Sequence, residues 1–210
     1  PGLPVAGLVV GNTGAHSARH GDPAFAQRVR EGIRDAIRRL PGWIKPSRRH
    51  GNVLVHPGAR NRVVPQPLGV VGVICTDEAP LLGFISLVAP LIAMGNRAVV
   101  VPSERHPLAA TDFYQVLETS DVPAGVINIV TGGRDTLLKT LAEHDDVDGL
   151  WVFGSKENSA SAEKLSAGNL KRTLVDHGLA TDWYDAASSE GPVLLRHAVQ
   201  VKNIWIPYGE

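Results

Sequence analysis

The sequence is short of several things, and each shortage excludes a class of protein. It holds a single cysteine, Cys75, so no disulfide framework can form within the chain, and a reducing compartment suits it, the cytoplasm by default. It carries no net charge, since Lys plus Arg and Asp plus Glu number 21 each, and nothing draws the whole surface toward nucleic acid or an anionic membrane. It lacks a long apolar run: the stretch Leu81 to Met94 is shorter than the roughly 18 to 20 residues that span a bilayer, and Pro90 interrupts it. No secretory signal pattern opens the chain, which starts at Pro1 rather than Met, as a piece of a longer polypeptide or a trimmed chain would. Metal-ligand spacing is missing as well. His16 and His20 stand four apart, but Gly14 and Gly21 argue against a helix there and no third ligand is near, so a solvated loop is expected.

What is present is enough apolar material, 43% of 210 residues, to bury a core. Residues 1–21 read as a Gly- and Pro-rich connector. Asp22 and Pro23 then form a helix start, with Phe25, Val29, Ile33, Ala36, Ile37 and Leu40 at helical spacing; the arginines on the other face interleave with acids, as a solvated face does. Val53 to Val55 and Arg62 to Val64 flank a turn at Pro57-Gly58, the pattern of a β-ribbon.

From Leu68 onward the pattern is regular. Leu68 to Cys75, Ala98 to Val101, Val126 to Val130, Leu150 to Phe153 and Arg172 to Val175 read as short apolar strands. Pro80 to Met94, Pro107 to Thr119, Arg134 to His144 and Ser155 to Ala167 between them are long enough for helices. Alternation of this kind predicts an α/β fold, a Rossmann-like parallel sheet with helices on both faces. The tail, Val199 to Ile206, is one more strand that must pair with an edge of its own sheet or with a partner's.

The segment VVGVICTDEAPLLGFISLVAPLIAMGNRAVVVPSE, Val70 to Glu104, resembles the NAD-binding domain of the aldehyde dehydrogenase superfamily, and so do Asp121 to Gly132, Asp145 to Ser155 and Asn169-Leu170-Lys171-Arg172 after it. The motifs keep the family's order from Gln66 to about Gly178. The resemblance implies a dinucleotide site at Ser103, Glu104, Gly132, Gly154 and Ser155, and an oligomerisation element made of the ribbon and the C-terminal strand. On this basis the chain divides into a connector and helix (1–49), the ribbon (50–66), a degenerate NAD-binding-like domain (67–196) and an oligomerisation strand (197–210).

The departures from the family bear on chemistry. Where the family has Pro-Trp-Asn-Phe-Pro, this chain has Thr76-Asp77-Glu78-Ala79-Pro80, so Glu78 replaces the asparagine whose amide donates to an oxyanion; an ionised carboxylate has no proton to give. Val101 replaces the lysine that holds the adenosine ribose, a loss of about 1.5 to 3 kcal/mol, while Glu104 remains available to the ribose hydroxyls. Ser159 replaces the second glycine of the phosphate turn, leaving either a retained phosphate site or a relic used only as a turn. Asp176 replaces the general-base glutamate and is one methylene shorter; His177 beside it reads as a surface or capping residue. Only Leu179 to Arg196 stand where the family has a whole catalytic domain with its cysteine, and a domain needs roughly 50 residues. Cys75, among apolar neighbours, reads as a buried structural thiol.

This combination looks like the C-terminal half of aldehyde dehydrogenase family 16, whose members join a full dehydrogenase to a second, incomplete copy. The expected function is a non-catalytic module that supports assembly of an NAD-dependent aldehyde dehydrogenase. Its partner is then a second copy or a full dehydrogenase domain, and it needs no catalytic residue, metal or cofactor of its own. The alternative keeps NAD: this chain supplies a working dinucleotide site to an enzyme whose cysteine lies on another domain or chain. A hydrolase on the same sheet lacks any Gly-x-Ser-x-Gly elbow.

Overall fold

Two apolar faces run through the repeat, and they decide how the helices are distributed. In the computed structural model, which describes residues 53–56, 59–185, 189 and 192–207, strand β3 (Val70–Ile74) alternates its side chains: Val71 and Val73 enter one core and Ile74 the other. The same alternation recurs in β4 (Arg97–Val101), with Ala98 and Val100 against Val99 and Val101, and β6 (Gly149–Val152) continues it, with Trp151 against Leu150 and Val152. A sheet apolar on both faces needs a helix layer on each. Helix α1 (Pro80–Ala93) and the short helices α2 (Leu108–Thr111) and α3 (Tyr114–Glu118) cover the first face; α4 (Arg134–Glu143) and α5 (Lys156–Ser166) cover the second.

The parallel sheet has five strands in the order β5-β4-β3-β6-β7, with β5 at Ile127–Ile129 and β7 at Arg172–Val175. This is the expected Rossmann-like α/β architecture. The single helix expected over Pro107 to Thr119 is two short ones, Leu108–Thr111 and Tyr114–Glu118, joined at Asp112 and Phe113. Phe113 turns edge-on to Phe84 of α1, ring centroids 5.5 Å apart, and this packing takes precedence over helix continuity. Pro90, by contrast, does not end α1, which runs on to Ala93. It lies in the last turn, where little helix remains to be disturbed, and Leu87, Val88 and Leu91 around it are buried.

The ribbon and the tail form a second sheet, ordered β1-β2-β8, from β1 (Val53–His56), β2 (Ala59–Pro67) and β8 (Val199–Pro207). β8 pairs antiparallel with β2 along its full length, from Ala59 opposite Pro207 to Pro67 opposite Val199. The tail strand therefore joins the ribbon of its own chain. β1 pairs only with Ala59 to Arg62, so Pro65 and Pro67 lie where β2 has a neighbour on one side and a missing N–H is tolerated. Short helix α6 (Pro192–His197) leads into β8, and buried Asn96 fastens this junction to the main sheet. Its amide donates to the Ala198 and Leu91 carbonyls and its oxygen accepts from the Gly69 N–H. The expected helix from Asp22 to Leu40, the His16 and His20 pair and the Pro57-Gly58 turn lie outside the described residues.

Candidate functional site

In an open α/β sheet, ligands bind beyond the carboxyl ends of the strands, where the strand order reverses. Here that point lies between β3 and β6, with the starts of α1, α4 and α5 around it. The turn after β3 carries the first surprise. Glu78 is exposed, but Asp77 turns inward, accepting a 2.6 Å hydrogen bond from the Ser103 hydroxyl and pairing at 2.9 Å with the Arg134 guanidinium. Arg134 also donates to the Cys75 carbonyl at 3.1 Å, and its guanidinium reaches toward the turn before α5, 3.6 Å from where a Cβ on Gly154 would stand. Burial disfavours the Asp77 carboxylate, yet the Ser103 hydroxyl and the Arg134 charge outweigh it and hold the carboxyl below its ordinary range.

The residues expected to meet a dinucleotide are brought to this one end of the sheet, but most are engaged within the chain. Ser103 is 1% exposed; besides donating to Asp77, its oxygen accepts from the His106 N–H. Glu104 is exposed and accepts from the Arg134 N–H at 3.2 Å, serving as a remote cap for α4, whose own N-cap residue, Gly133, has no side chain. Gly132 is exposed. Ser155 caps α5, its oxygen accepting from the Asn158 N–H, and the hydroxyl lies 2.5 Å from the Asn158 side-chain oxygen.

Gly154 is decisive for a phosphate. Its N–H donates at 2.8 Å to the Asp176 carboxylate. The other Asp176 oxygen accepts from the Ser159 hydroxyl at 3.2 Å and from the Gly178 N–H at 3.0 Å, and the Ser159 oxygen in turn accepts from the His177 N–H. Asp176 thus holds the phosphate turn in the manner of an anion, and Ser159 does more than add bulk. This seat needs Gly178, which has φ +73° and would place a Cβ 2.9 Å from the Lys156 nitrogen. His177 points elsewhere, exposed and 3.9 Å from Glu163.

Trp183 belongs to the same region, and sequence reasoning missed it together with Arg134. It is 4% exposed, stacked edge-on against Phe153 at 5.3 Å and lying over Gly83 in the first turn of α1. Asp182 fixes the turn beside it by accepting from the Tyr184 and Asp185 N–H groups. The signal for Arg134 was an acid at Asp77 in need of a partner; the aromatic pair Trp183-Tyr184 soon after the last family motif was the signal for Trp183.

Cys75 is fully buried at the end of β3, and burial pushes its thiol up to about 12. Among the described residues, no group of three or more His, Cys, Asp or Glu is placed to hold a metal, and no helix is long and apolar enough to cross a membrane. Of the residues that the resemblance assigns to NAD, the Gly154 donor is occupied by the Asp176 carboxylate and Ser103 is buried and bonded to Asp77, an arrangement that leaves neither free for a dinucleotide.

Residues 17–181 match the aldehyde dehydrogenase family. The chain is 38% identical over 122 residues to a 2-hydroxymuconic semialdehyde dehydrogenase of Pseudomonas putida, covering 58% of this chain and 25% of that protein. It is 33% identical over 122 residues to a betaine aldehyde dehydrogenase of Bacillus subtilis, with the same coverage of each. Its fold superposes on an aldehyde dehydrogenase from Brucella melitensis with a TM-score of 0.69 and 25% identity, covering 81% of this chain and 36% of that one. The chain spans about a quarter of the length of the curated relatives it matches. With the matched residues taking in the whole five-stranded sheet, the chain belongs to the aldehyde dehydrogenase family.

Proposed function

We propose that this chain is a non-catalytic aldehyde-dehydrogenase-like module that supports assembly of an NAD-dependent aldehyde dehydrogenase. The observation that carries the reading is Cys75. It is the one thiol in the sequence, it is fully buried, and burial pushes it up to about 12, so it stays protonated and out of reach of an aldehyde. The positions of an oxyanion donor and a general base hold Glu78, which faces water, and Asp176, which holds a turn. The architecture is kept beside this lost chemistry.

The assembly surface in this reading is the ribbon with its added strand. β8 lies at the edge of the three-stranded sheet, and an edge of that length accepts a further strand. Its partner is a second copy of this chain or a full dehydrogenase domain, in a reducing, cytoplasmic setting that suits a single free thiol. Light scattering on the purified chain, alone and with a full-length dehydrogenase of its source, tests this. Assembly gives a mass about twice 22.4 kDa or a stable mixed complex; a monomer that ignores the dehydrogenase refutes it.

A second reading, in which the chain lends an NAD site to a cysteine on another domain or chain, draws on the exposure of Glu104 and Gly132 at the expected end of the sheet. It requires NAD affinity in the chain as it stands, which calorimetry measures.

A further inference from the structure

Several departures from the family pattern gather at the reversal point of the sheet, and together they do something no one of them does. Resting on the non-catalytic reading above, we infer that the crevice beyond β3 and β6 is closed from within: Asp176 takes the place of a bound anion on the Gly154 N–H, and Trp183 fills the space beside Phe153 and Gly83, so that a dinucleotide is excluded by the chain itself.

Asp176 is bound by three donors, the Gly154 N–H, the Gly178 N–H and the Ser159 hydroxyl. A phosphate arriving at the start of α5 competes with a tethered carboxylate, which acts at an effective concentration that free ligand does not reach. Displacing it also takes from the buried Ser159 hydroxyl one of its two acceptors, leaving the Ser155 carbonyl at 3.2 Å. Farther along the crevice, Ser103 and Arg134 are tied to Asp77, and Arg134 is the cation a pyrophosphate would otherwise meet. Trp183 stands on the apolar side. A Cβ on Gly83 would sit 2.7 Å from the Thr76 methyl and 3.7 Å from the Trp183 ring, so the turn after β3 and the Trp183 ring both lie close against the first turn of α1.

The test is calorimetric titration with NAD and with ADP-ribose, on the wild-type chain and on the variant Asp176→Ala with Trp183→Ala. The wild type should give no saturable binding up to about 1 mM, and the double variant at least a tenfold gain in affinity. The Gly154 amide resonance should move in Asp176→Ala and stay in place in Trp183→Ala. Saturable wild-type binding at or below about 1 mM overturns the inference. So does a folded double variant that binds no better than wild type. Where the double variant fails to fold, Asp176→Ala alone must show both the gain and the amide shift, and the lack of either overturns it. The outcome separates from that of the assembly reading: a chain that assembles and binds NAD refutes self-closure alone, and a monomer that ignores both the dehydrogenase and NAD refutes assembly alone.

Discussion

Replacing Asp77 by alanine removes the carboxylate that faces both Ser103 and Arg134, and the structure sets the scale of the effect. Breaking a fully buried pair from one side costs about 3 to 5 kcal/mol, because the other charge is left uncompensated; an exposed pair contributes about 0 to 1 kcal/mol. The Arg134 and Asp77 side chains are 13% and 22% exposed, between these limits, and the Arg134 Nε is already buried without a hydrogen-bond partner. A loss of about 2 kcal/mol follows, which at a urea dependence of about 2 to 3 kcal/mol per molar lowers the unfolding midpoint by about 0.7 to 1 M. Acid dependence separates the charge from mere packing. The native carboxyl is held below its ordinary range, so its stabilising contribution is present above the unfolded value of about 3.9 and is lost as pH falls through the lower native value. The gap between wild type and Asp77→Ala should therefore be constant from about pH 5 to 8 and close as the pH drops below about 4. Urea titrations at pH 7 and pH 3 read both quantities. A gap under about 0.5 kcal/mol at pH 7, or one of equal size at pH 3, refutes the idea that Asp77 is there to hold Arg134.

Other parts of the structure make further commitments. Trp183→Ala should cost about 3 to 5 kcal/mol in urea unfolding and Trp183→Phe much less, since phenylalanine keeps a ring against Phe153. Cys75 should resist thiol reagents in the native chain and react only at the rate of global unfolding, read by mass spectrometry with and without urea. Lys171 donates to the Leu141 and His144 carbonyls at the end of α4, so Lys171→Met should lower stability by about 1 to 2 kcal/mol and expose the last turn of α4 to amide exchange. Gly69 has φ +129°, and a Cβ there would lie 2.1 Å from an Asp148 oxygen that accepts from the Val70 N–H; Gly69→Ala should cost more than about 2 kcal/mol in the same assay.

How far the sequence reached depends on how local each feature is. The strands and long helices were legible because apolar spacing is a property of neighbouring residues, and the five strands fall within a residue or two of their expected places. The break between α2 and α3 was not, because the Phe113 ring that causes it packs on Phe84, 29 positions away, which no local propensity records. The tail left two pairings open, and the matched register of β2 and β8, whose partners Pro67 and Val199 stand 132 positions apart, is a contact that periodicity alone cannot assign. At the site, Ser103, Glu104, Gly132, Gly154 and Ser155 do gather at one end of the sheet, as expected from the resemblance. For three of them the bonding partner was invisible, because it lies on another element: Asp77 for Ser103, Arg134 for Glu104, Asp176 for Gly154.

On the non-catalytic reading, those partners explain how the chain keeps its fold without an active site. A dinucleotide site is a set of donors and a crevice at the edge of a core, and emptied of its ligand and its covering domain it leaves polar groups unsatisfied and apolar surface wet. Here Ser159, at a family glycine position, donates to Asp176, at a family glutamate position, and Asp176 satisfies Gly154 in turn. Asp77, at a family tryptophan position, satisfies Ser103 and neutralises Arg134. Trp183, from the short segment after β7, supplies apolar cover over Phe153 and Gly83. Each change read singly looks like damage to a catalytic motif. Read in their contacts they are complementary, Ser159 and Asp176 pairing directly and Asp77 and Trp183 engaging neighbours at the same end of the sheet, and complementarity between departures is what a structure under selection for stability rather than turnover should contain.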